Sequence, residues 1–232
     1  MNIKGIHKTS FVDFPGKISA VLFTGGCNLE CGYCHNPALA RNDQNLEVIS
    51  GKDALEFLSR RKGLIDAVTL SGGEPTLQKD IQDFIESVKK IPLLVKLDTN
   101  GLKPEVVNLL LKKDLLDYVA LDVKTSPAKY NTLTHREVDF SLIVKTLDSL
   151  RESGIDYEVR TTCVPGFCDE QDLREIGNAI GHVRRYVLQQ FVSSVDMLDN
   201  SMRNIDPYPS RYLEKLCTVS LDFADESLVR GI

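Results

Sequence analysis

Ile18-Ser19-Ala20-Val21-Leu22-Phe23-Thr24-Gly25-Gly26-Cys27-Asn28-Leu29-Glu30-Cys31-Gly32-Tyr33-Cys34 is the stretch that decides the fold. Its first seven residues form an apolar run with β-branched and aromatic side chains, which favours a strand. Gly25 and Gly26 end the run, and three cysteines follow within one short loop. The same grammar recurs down the chain. Apolar runs at Ile65–Leu70, Leu93–Leu97, Tyr118–Val123, Tyr157–Val164 and Arg185–Phe191 read as further strands. Helical patterns separate them at Lys52–Arg60, Leu77–Lys90, Pro104–Lys112, Phe140–Ser153 and Asp169–Gly181. Thr76 is placed to cap the second helix, Asp169 or Glu170 to open the fifth, and Gly154 to stop the fourth.

Strands that alternate with helices predict a parallel sheet built by right-handed crossovers. The runs are nearly continuous in apolar residues, as expected of strands covered on both faces. Periodicity alone leaves an open doubly wound sheet and a partial barrel as alternatives. The residues that end each run are more telling. Ser71-Gly72-Gly73-Glu74-Pro75, Asp98-Thr99-Asn100-Gly101, Asp122 with Lys124, and Pro165-Gly166 all fall at carboxyl ends of predicted parallel strands. They therefore converge with the cysteine loop on one face, the face that carries the active site in α/β sheets and barrels.

Bulk properties narrow the setting. The chain has 232 residues, 42% apolar and 26% charged, with a formal net charge of −5. That balance argues against a general binder of nucleic acid or anionic membrane. No apolar run approaches the ~20 residues of a membrane helix, and the first residues lack a signal-peptide pattern. A cytoplasmic location is expected. There, six cysteines read as metal ligands, catalytic groups or buried apolar residues rather than disulfides.

Cys27, Cys31 and Cys34 have a C-x3-C-x2-C spacing. Three thiolates on one loop can wrap one face of an iron–sulfur cluster, which is normally held by cysteines, often four. With no fourth cysteine nearby, either a distant residue completes the set or one iron stays open for a ligand. The competing reading is a zinc site completed by His35, in which case the chain is a non-catalytic zinc-binding module. Adjacency to Cys34 makes His35 an awkward fourth ligand. Cys163, Cys168 and Cys217 read as buried or loop thiols, and His7, His135 and His182 suggest no site.

The cysteine loop resembles the signature of the radical S-adenosylmethionine (SAM) enzymes, and the resemblance covers essentially the whole chain. Phe23–Cys27 with Cys34–Pro37 looks like the glycyl-radical-enzyme activases, in particular the longer activating proteins of anaerobic ribonucleoside-triphosphate reductase. Phe11-Val12-Asp13-Phe14-Pro15-Gly16, Gly72–Pro75, Asp98–Gly101 and Asp122-Val123-Lys124 support it. The resemblance implies a partial (β/α)6 TIM-like barrel in one domain, with residues 1–17 an N-terminal extension, 18–192 the barrel core and 193–232 a C-terminal extension. It implies a [4Fe–4S] cluster on the three cysteines, with the open iron chelating SAM, and a 5′-deoxyadenosyl radical as the product of reductive cleavage. Carried over residue by residue, it puts Tyr33 beside adenine and Gly72, Gly73 and Glu74 on the methionine amino group. Asp98 and Asp122 then help to hold a monovalent cation and position the cofactor, and Lys124 lies near the cofactor carboxylate. Arg160, costly inside a strand unless paired, contacts the ribose or the incoming partner loop, or else pairs with Glu158. The implied partners are a glycyl radical enzyme as protein substrate and flavodoxin or ferredoxin as electron donor, with no nucleic acid and no membrane.

One departure concerns the target. The pyruvate formate-lyase activases end their last barrel strand with a histidine near the cofactor, whereas here the stretch reads Gln189-Gln190-Phe191-Val192. A small-molecule radical enzyme of the 7-carboxy-7-deazaguanine synthase type is the alternative.

Overall fold

The computed structural model describes residues 1–232. Eight strands form one sheet in the order in which they occur in the chain: β1 (Ile3–Ser10), β2 (Ser19–Thr24), β3 (Ala67–Gly72), β4 (Leu94–Thr99), β5 (Tyr118–Asp122), β6 (Asp156–Cys163), β7 (Val183–Gln190) and β8 (Ala224–Arg230). β1 runs antiparallel to β2, and every later pairing is parallel. The helices are α1 (Pro37–Ala40), α2 (Gly51–Arg60), α3 (Ile81–Lys89), α4 (Pro104–Lys112), α5 (Tyr130–Thr134), α6 (Phe140–Ser153), α7 (Glu170–Ile180) and α8 (Ser210–Ser220). None is long and apolar enough to cross a membrane.

The sequential strand order decides between the two folds that periodicity left open. Right-handed crossovers taken in strict order wind in one sense and stack the helices on one side of the sheet. A doubly wound sheet needs a reversal of strand order, and none occurs. β1 and β8 each pair with one neighbour only, so the arc stays unclosed: a partial barrel.

Both strand faces are covered, as the apolar runs predict, but the two are filled differently. One set of alternating positions, Leu22, Leu70, Leu97, Leu121, Val159 and Leu188 among them, belongs to a core of 42 buried residues shared with the helices. Alternation sends the other set, including Lys96, Asp98, Glu158 and Arg160, to the inner face of the arc. The outer face therefore carries the folding energy. Truncating one of its leucines to alanine costs about 2–5 kcal/mol.

The six runs read as strands are all strands. Two more were missed, because β1 and β8 lie in the segments read as extensions and carry mixed polar and apolar residues: IKGIHKTS and ADESLVR. The loop between β1 and β2 turns Phe14 inward against Tyr118, with ring centroids 5.7 Å apart, and plugs the amino-terminal end of the arc.

Helix boundaries follow the local chemistry. Asp169 caps α7 in a reciprocal box with Asp172, and Gly154 ends α6 in the left-handed conformation at φ 74°. The second predicted helix starts later than its pattern suggests. Thr76 is not its cap but sits in a 3-10 turn, Pro75–Leu77, capped by Glu74, and α3 begins at Ile81. The reason is tertiary. Gln78 is held extended, accepting from the Asn2 amide at 2.9 Å and donating to the Gly25 carbonyl at 3.1 Å.

Candidate active site

β3 and β4 each run two residues further than their apolar runs, so Ser71, Gly72, Asp98 and Thr99 are the last rungs of the sheet. The loops beyond them meet the cysteine loop. Gly73 donates to the Thr24 carbonyl and Glu74 to the Gly26 carbonyl, both at 2.8 Å. Such an approach excludes a side chain. A Cβ on Gly73 would lie 2.1 Å from the Gly26 oxygen, and one on Gly72, at φ +115°, would lie 2.4 Å from the Thr24 nitrogen. The glycine pair seats the end of β3 directly under the turn that leads to Cys27.

The cysteine loop is pinned on its other sides as well. Cys27 donates its amide to Ala40 of α1, Glu30 and Gly32 donate to Thr134 and Leu133 of α5, and Asp199 donates to Gly32. Asn100 donates its side-chain amide to Asn28 at 2.7 Å. Leu29, Cys31 and Tyr33 are buried in a satellite cluster with Leu133, Phe191, Met197 and Met202, apart from the main core.

Between loop and sheet lies a cleft of about 210 Å³. All three cysteines line it, together with Tyr33, Gly72, Gly73, Glu74, Asp98, Asp122 and Lys124. Every residue that the family resemblance assigns to the cluster or cofactor reaches this cleft except Arg160. Ser71 and Thr162 line it too. Sequence gave no signal for either beyond their place at strand ends.

Glu74 is fully buried and accepts four hydrogen bonds. They come from the Thr76 amide (3.1 Å) and hydroxyl (2.6 Å), the Thr99 hydroxyl (2.8 Å) and the Asn100 amide (2.8 Å). Burial raises its carboxyl, and these donors offset part of the rise. One oxygen takes three of the four bonds, leaving the other with spare acceptor capacity toward the cleft.

The inner face carries a chain of alternating charges. Lys96 pairs with Asp98, which also accepts from Ser71 Oγ at 3.1 Å. Arg160 stands behind both aspartates, with Nε 2.8 Å from Asp122 and Nη1 3.5 Å from Asp98. Lys124 Nζ lies 3.0 Å from the other Asp122 oxygen. Glu158 is not the partner of Arg160. It is taken by Arg230 in a bidentate pair at 2.8 and 2.6 Å and by Tyr118 at 3.1 Å. Burial by itself would raise both aspartates, but Arg160 with Lys96 or Lys124 outweighs it and holds both carboxyls below the usual carboxylate range. Burial likewise opposes the Lys124 charge, and Asp122 overrides it.

The donor set suits an iron–sulfur cluster better than a single ion. None of the three thiols is in a disulfide. Burial pushes Cys27 up to about 11 and Cys31 up to about 12, so both stay protonated near neutral pH unless a metal displaces the proton. No three His, Cys, Asp or Glu side chains gather closely enough to share one ion. Tetrahedral zinc would draw its sulfurs to about 3.8 Å from one another. His35 is exposed at the rim, where burial on one side lowers its imidazole.

The chain's likeness to known proteins agrees with this geometry. It is 34% identical to a candidate glycyl-radical enzyme activating enzyme of Methanocaldococcus jannaschii, over 99% of this chain and 96% of the relative. It is 29% identical to the pyruvate formate-lyase-activating enzyme of Clostridium pasteurianum, over 91% and 87% of the two chains. It is also 25% identical to the GTP 3′,8-cyclase of Aquifex aeolicus, over 81% of this chain and 61% of that enzyme. Streptococcus suis SuiB bound to S-adenosylmethionine superposes with a TM-score of 0.69 at 18% identity, which speaks for the fold alone; 89% of this chain covers 48% of that one. A family model described as the radical SAM superfamily matches residues 21–176, so the chain belongs to the radical SAM superfamily.

Proposed function

We propose that the chain is a glycyl-radical-enzyme activase, in which a [4Fe–4S] cluster on Cys27, Cys31 and Cys34 supplies the reductive cleavage of SAM to a radical that takes hydrogen from a glycine of a partner protein. One observation carries this reading. The three thiols share a single cleft with the Gly72–Glu74 turn and the Asp98–Asp122–Lys124 charges, at the open end of an arc whose edge strands do not pair with each other. Gly72 and Gly73 give a ligand access to backbone, and Glu74 offers a fixed carboxylate to an ammonium group. Lys124 offers a cation to a carboxylate, and Tyr33 a face to adenine. Asp98 and Asp122 are held ionised by their partners, and Asp122 keeps Lys124 in place. The unclosed edge leaves a route by which a peptide loop could reach the cleft.

The partner we favour is an anaerobic ribonucleoside-triphosphate reductase, with flavodoxin or ferredoxin as electron donor and the cytoplasm as the setting. The near full-length match to the Methanocaldococcus jannaschii relative of the activating type supports the activase reading. The test is to mix anoxically reduced protein, SAM and candidate partners and record electron paramagnetic resonance. A glycyl radical on the partner is expected. Its absence with every co-encoded glycyl radical enzyme counts against the activase. The similarity to a GTP cyclase keeps one rival in view, an enzyme acting on a small molecule. Stoichiometric turnover of a nucleotide without any protein partner would favour it. Colourless protein holding one zinc would defeat both readings.

A further inference from the structure

The monovalent cation that the family resemblance puts at Asp98 and Asp122 does not fit the charges found there. All four carboxylate oxygens are engaged. Asp98 Oδ1 meets Lys96, and Asp98 Oδ2 meets Ser71 and Arg160. Asp122 Oδ1 meets Arg160, and Asp122 Oδ2 meets Lys124. Three fixed cations already face two carboxylates, so an alkali ion would enter a set with a positive surplus and be repelled.

We propose that Lys96 replaces that ion: its ammonium is a built-in monovalent cation that orients Asp98, and SAM binding in this chain is independent of added potassium or sodium. The inference rests on the proposed use of the cleft for SAM. Lys96 is placed for the role by the sheet. It lies two residues before Asp98 on β4, hence on the same inner face. It is 1% exposed and does not line the cleft. It therefore stands beneath Asp98, behind the surface that a ligand touches. The Tyr118 ring flanks it, with its centroid 6.0 Å from Nζ. A compact ammonium with three donors and no acceptor can serve carboxylate oxygens as an alkali ion does. Arg160 and Lys124 are committed elsewhere, Arg160 to bridging the two aspartates and Lys124 to the cleft. Lys96 is thus a positioning residue rather than a catalytic one.

The test measures SAM affinity calorimetrically on anoxically reconstituted protein in potassium, sodium or choline chloride at equal ionic strength. Wild-type affinity is expected to agree within about twofold in all three. Lys96→Met should lose about tenfold or more in choline, because Asp98 Oδ1 has lost its ammonium and only the longer Arg160 contact remains as a cation, and regain most of that loss in potassium or sodium. Thermal unfolding of the metal-free variant should show the same salt rescue. A lysine that merely filled the barrel would weaken binding equally in every salt, and that result overturns the inference. So does a wild type whose affinity rises several-fold in potassium over choline, a comparison that decides the matter even if Lys96→Met fails to fold. A wild type that binds no SAM in any salt sinks the proposed function itself, an outcome distinct from cation dependence.

Discussion

Asp98→Asn changes one oxygen to a nitrogen and leaves shape and buried area alone, so its effect isolates charge. In the native chain Asp98 faces Lys96 and Arg160, and its side chain is 10% exposed. The substitution leaves Lys96, a 1% exposed ammonium, without its carboxylate and leaves Arg160 with Asp122 alone. Stranding one member of a buried pair costs about 3–5 kcal/mol. With a urea m-value of about 3 kcal/mol/M, the midpoint of metal-free protein should fall by about 1–1.7 M. Arg160→Met should cost less, because Asp98 keeps Lys96 and Asp122 keeps Lys124. The pH dependence gives a second readout. The folded Asp98 carboxyl is held below its unfolded value, so its contribution is present above about pH 3.9 and is lost as pH falls through the folded value. The stability gap between wild type and Asp98→Asn should therefore be full at neutral pH and narrow below about pH 4. Urea unfolding followed by circular dichroism at several pH values measures it. Glu105→Gln, in an exposed pair with Lys103, is a control that should move by less than about 0.5 kcal/mol. A gap under about 1 kcal/mol at neutral pH, or one that stays flat down to pH 3, refutes the charge-chain argument.

Three further outcomes are expected. Cys31→Ala should abolish iron and sulfide binding and SAM cleavage while the far-ultraviolet spectrum is kept, because Cys31 packs in the satellite cluster and not in the 42-residue core; retained SAM cleavage would break the ligand assignment. Gly73→Ala should lose cluster and SAM binding because its Cβ would sit 2.1 Å from the Gly26 oxygen, whereas Gly5→Ala, with a 3.6 Å contact, should be tolerated; equal behaviour of the two would contradict the close-approach argument. Cluster assembly should strengthen as pH rises across the neutral range, since Cys27 and Cys31 titrate at about 11 and about 12 without metal and must release protons to bind it. Iron occupancy after reconstitution at graded pH reads this directly, and occupancy that falls with rising pH would contradict it.

The parts legible in sequence were those with a local cause. Apolar runs bounded by glycine located β2 to β7, and the spacing of Cys27, Cys31 and Cys34 located the loop. β1 and β8 escaped because an edge strand need not be apolar. Residues such as Lys8, Glu226 and Arg230 are tolerated there, and only pairing partners far along the chain make these segments strands. α5 escaped because five residues are too short for a helical period, although Leu133 and Thr134 accept the amides that hold the cysteine loop. The role of Arg160 escaped for a different reason. Its neighbour Glu158 is close in sequence, but Glu158 is taken by Arg230, which lies 72 residues away. A strand residue's partner is set by cross-strand register, which no local pattern prints.

That register also explains why the inner face can be so heavily charged. In a closed (β/α)8 barrel, branched apolar side chains fill the interior in layers. Here β4, β5 and β6 send Lys96 and Asp98, then Tyr118 and Asp122, then Glu158 and Arg160 to the inside. Ion pairs in such a place add little net stability, because desolvation consumes most of their attraction. They persist at no great cost because the opposite face of the same strands carries the 42-residue core. The parallel register sets Asp122 directly beside Arg160 on the next strand. Spacing between the charges is then a property of the sheet and not of flexible loops. Rigid charges at fixed spacing are what recognition of a zwitterion requires, since its ammonium and carboxylate must both be met without either being left unpaired. Stability on one face and ligand recognition on the other are thus separated by the two-residue period of a single strand.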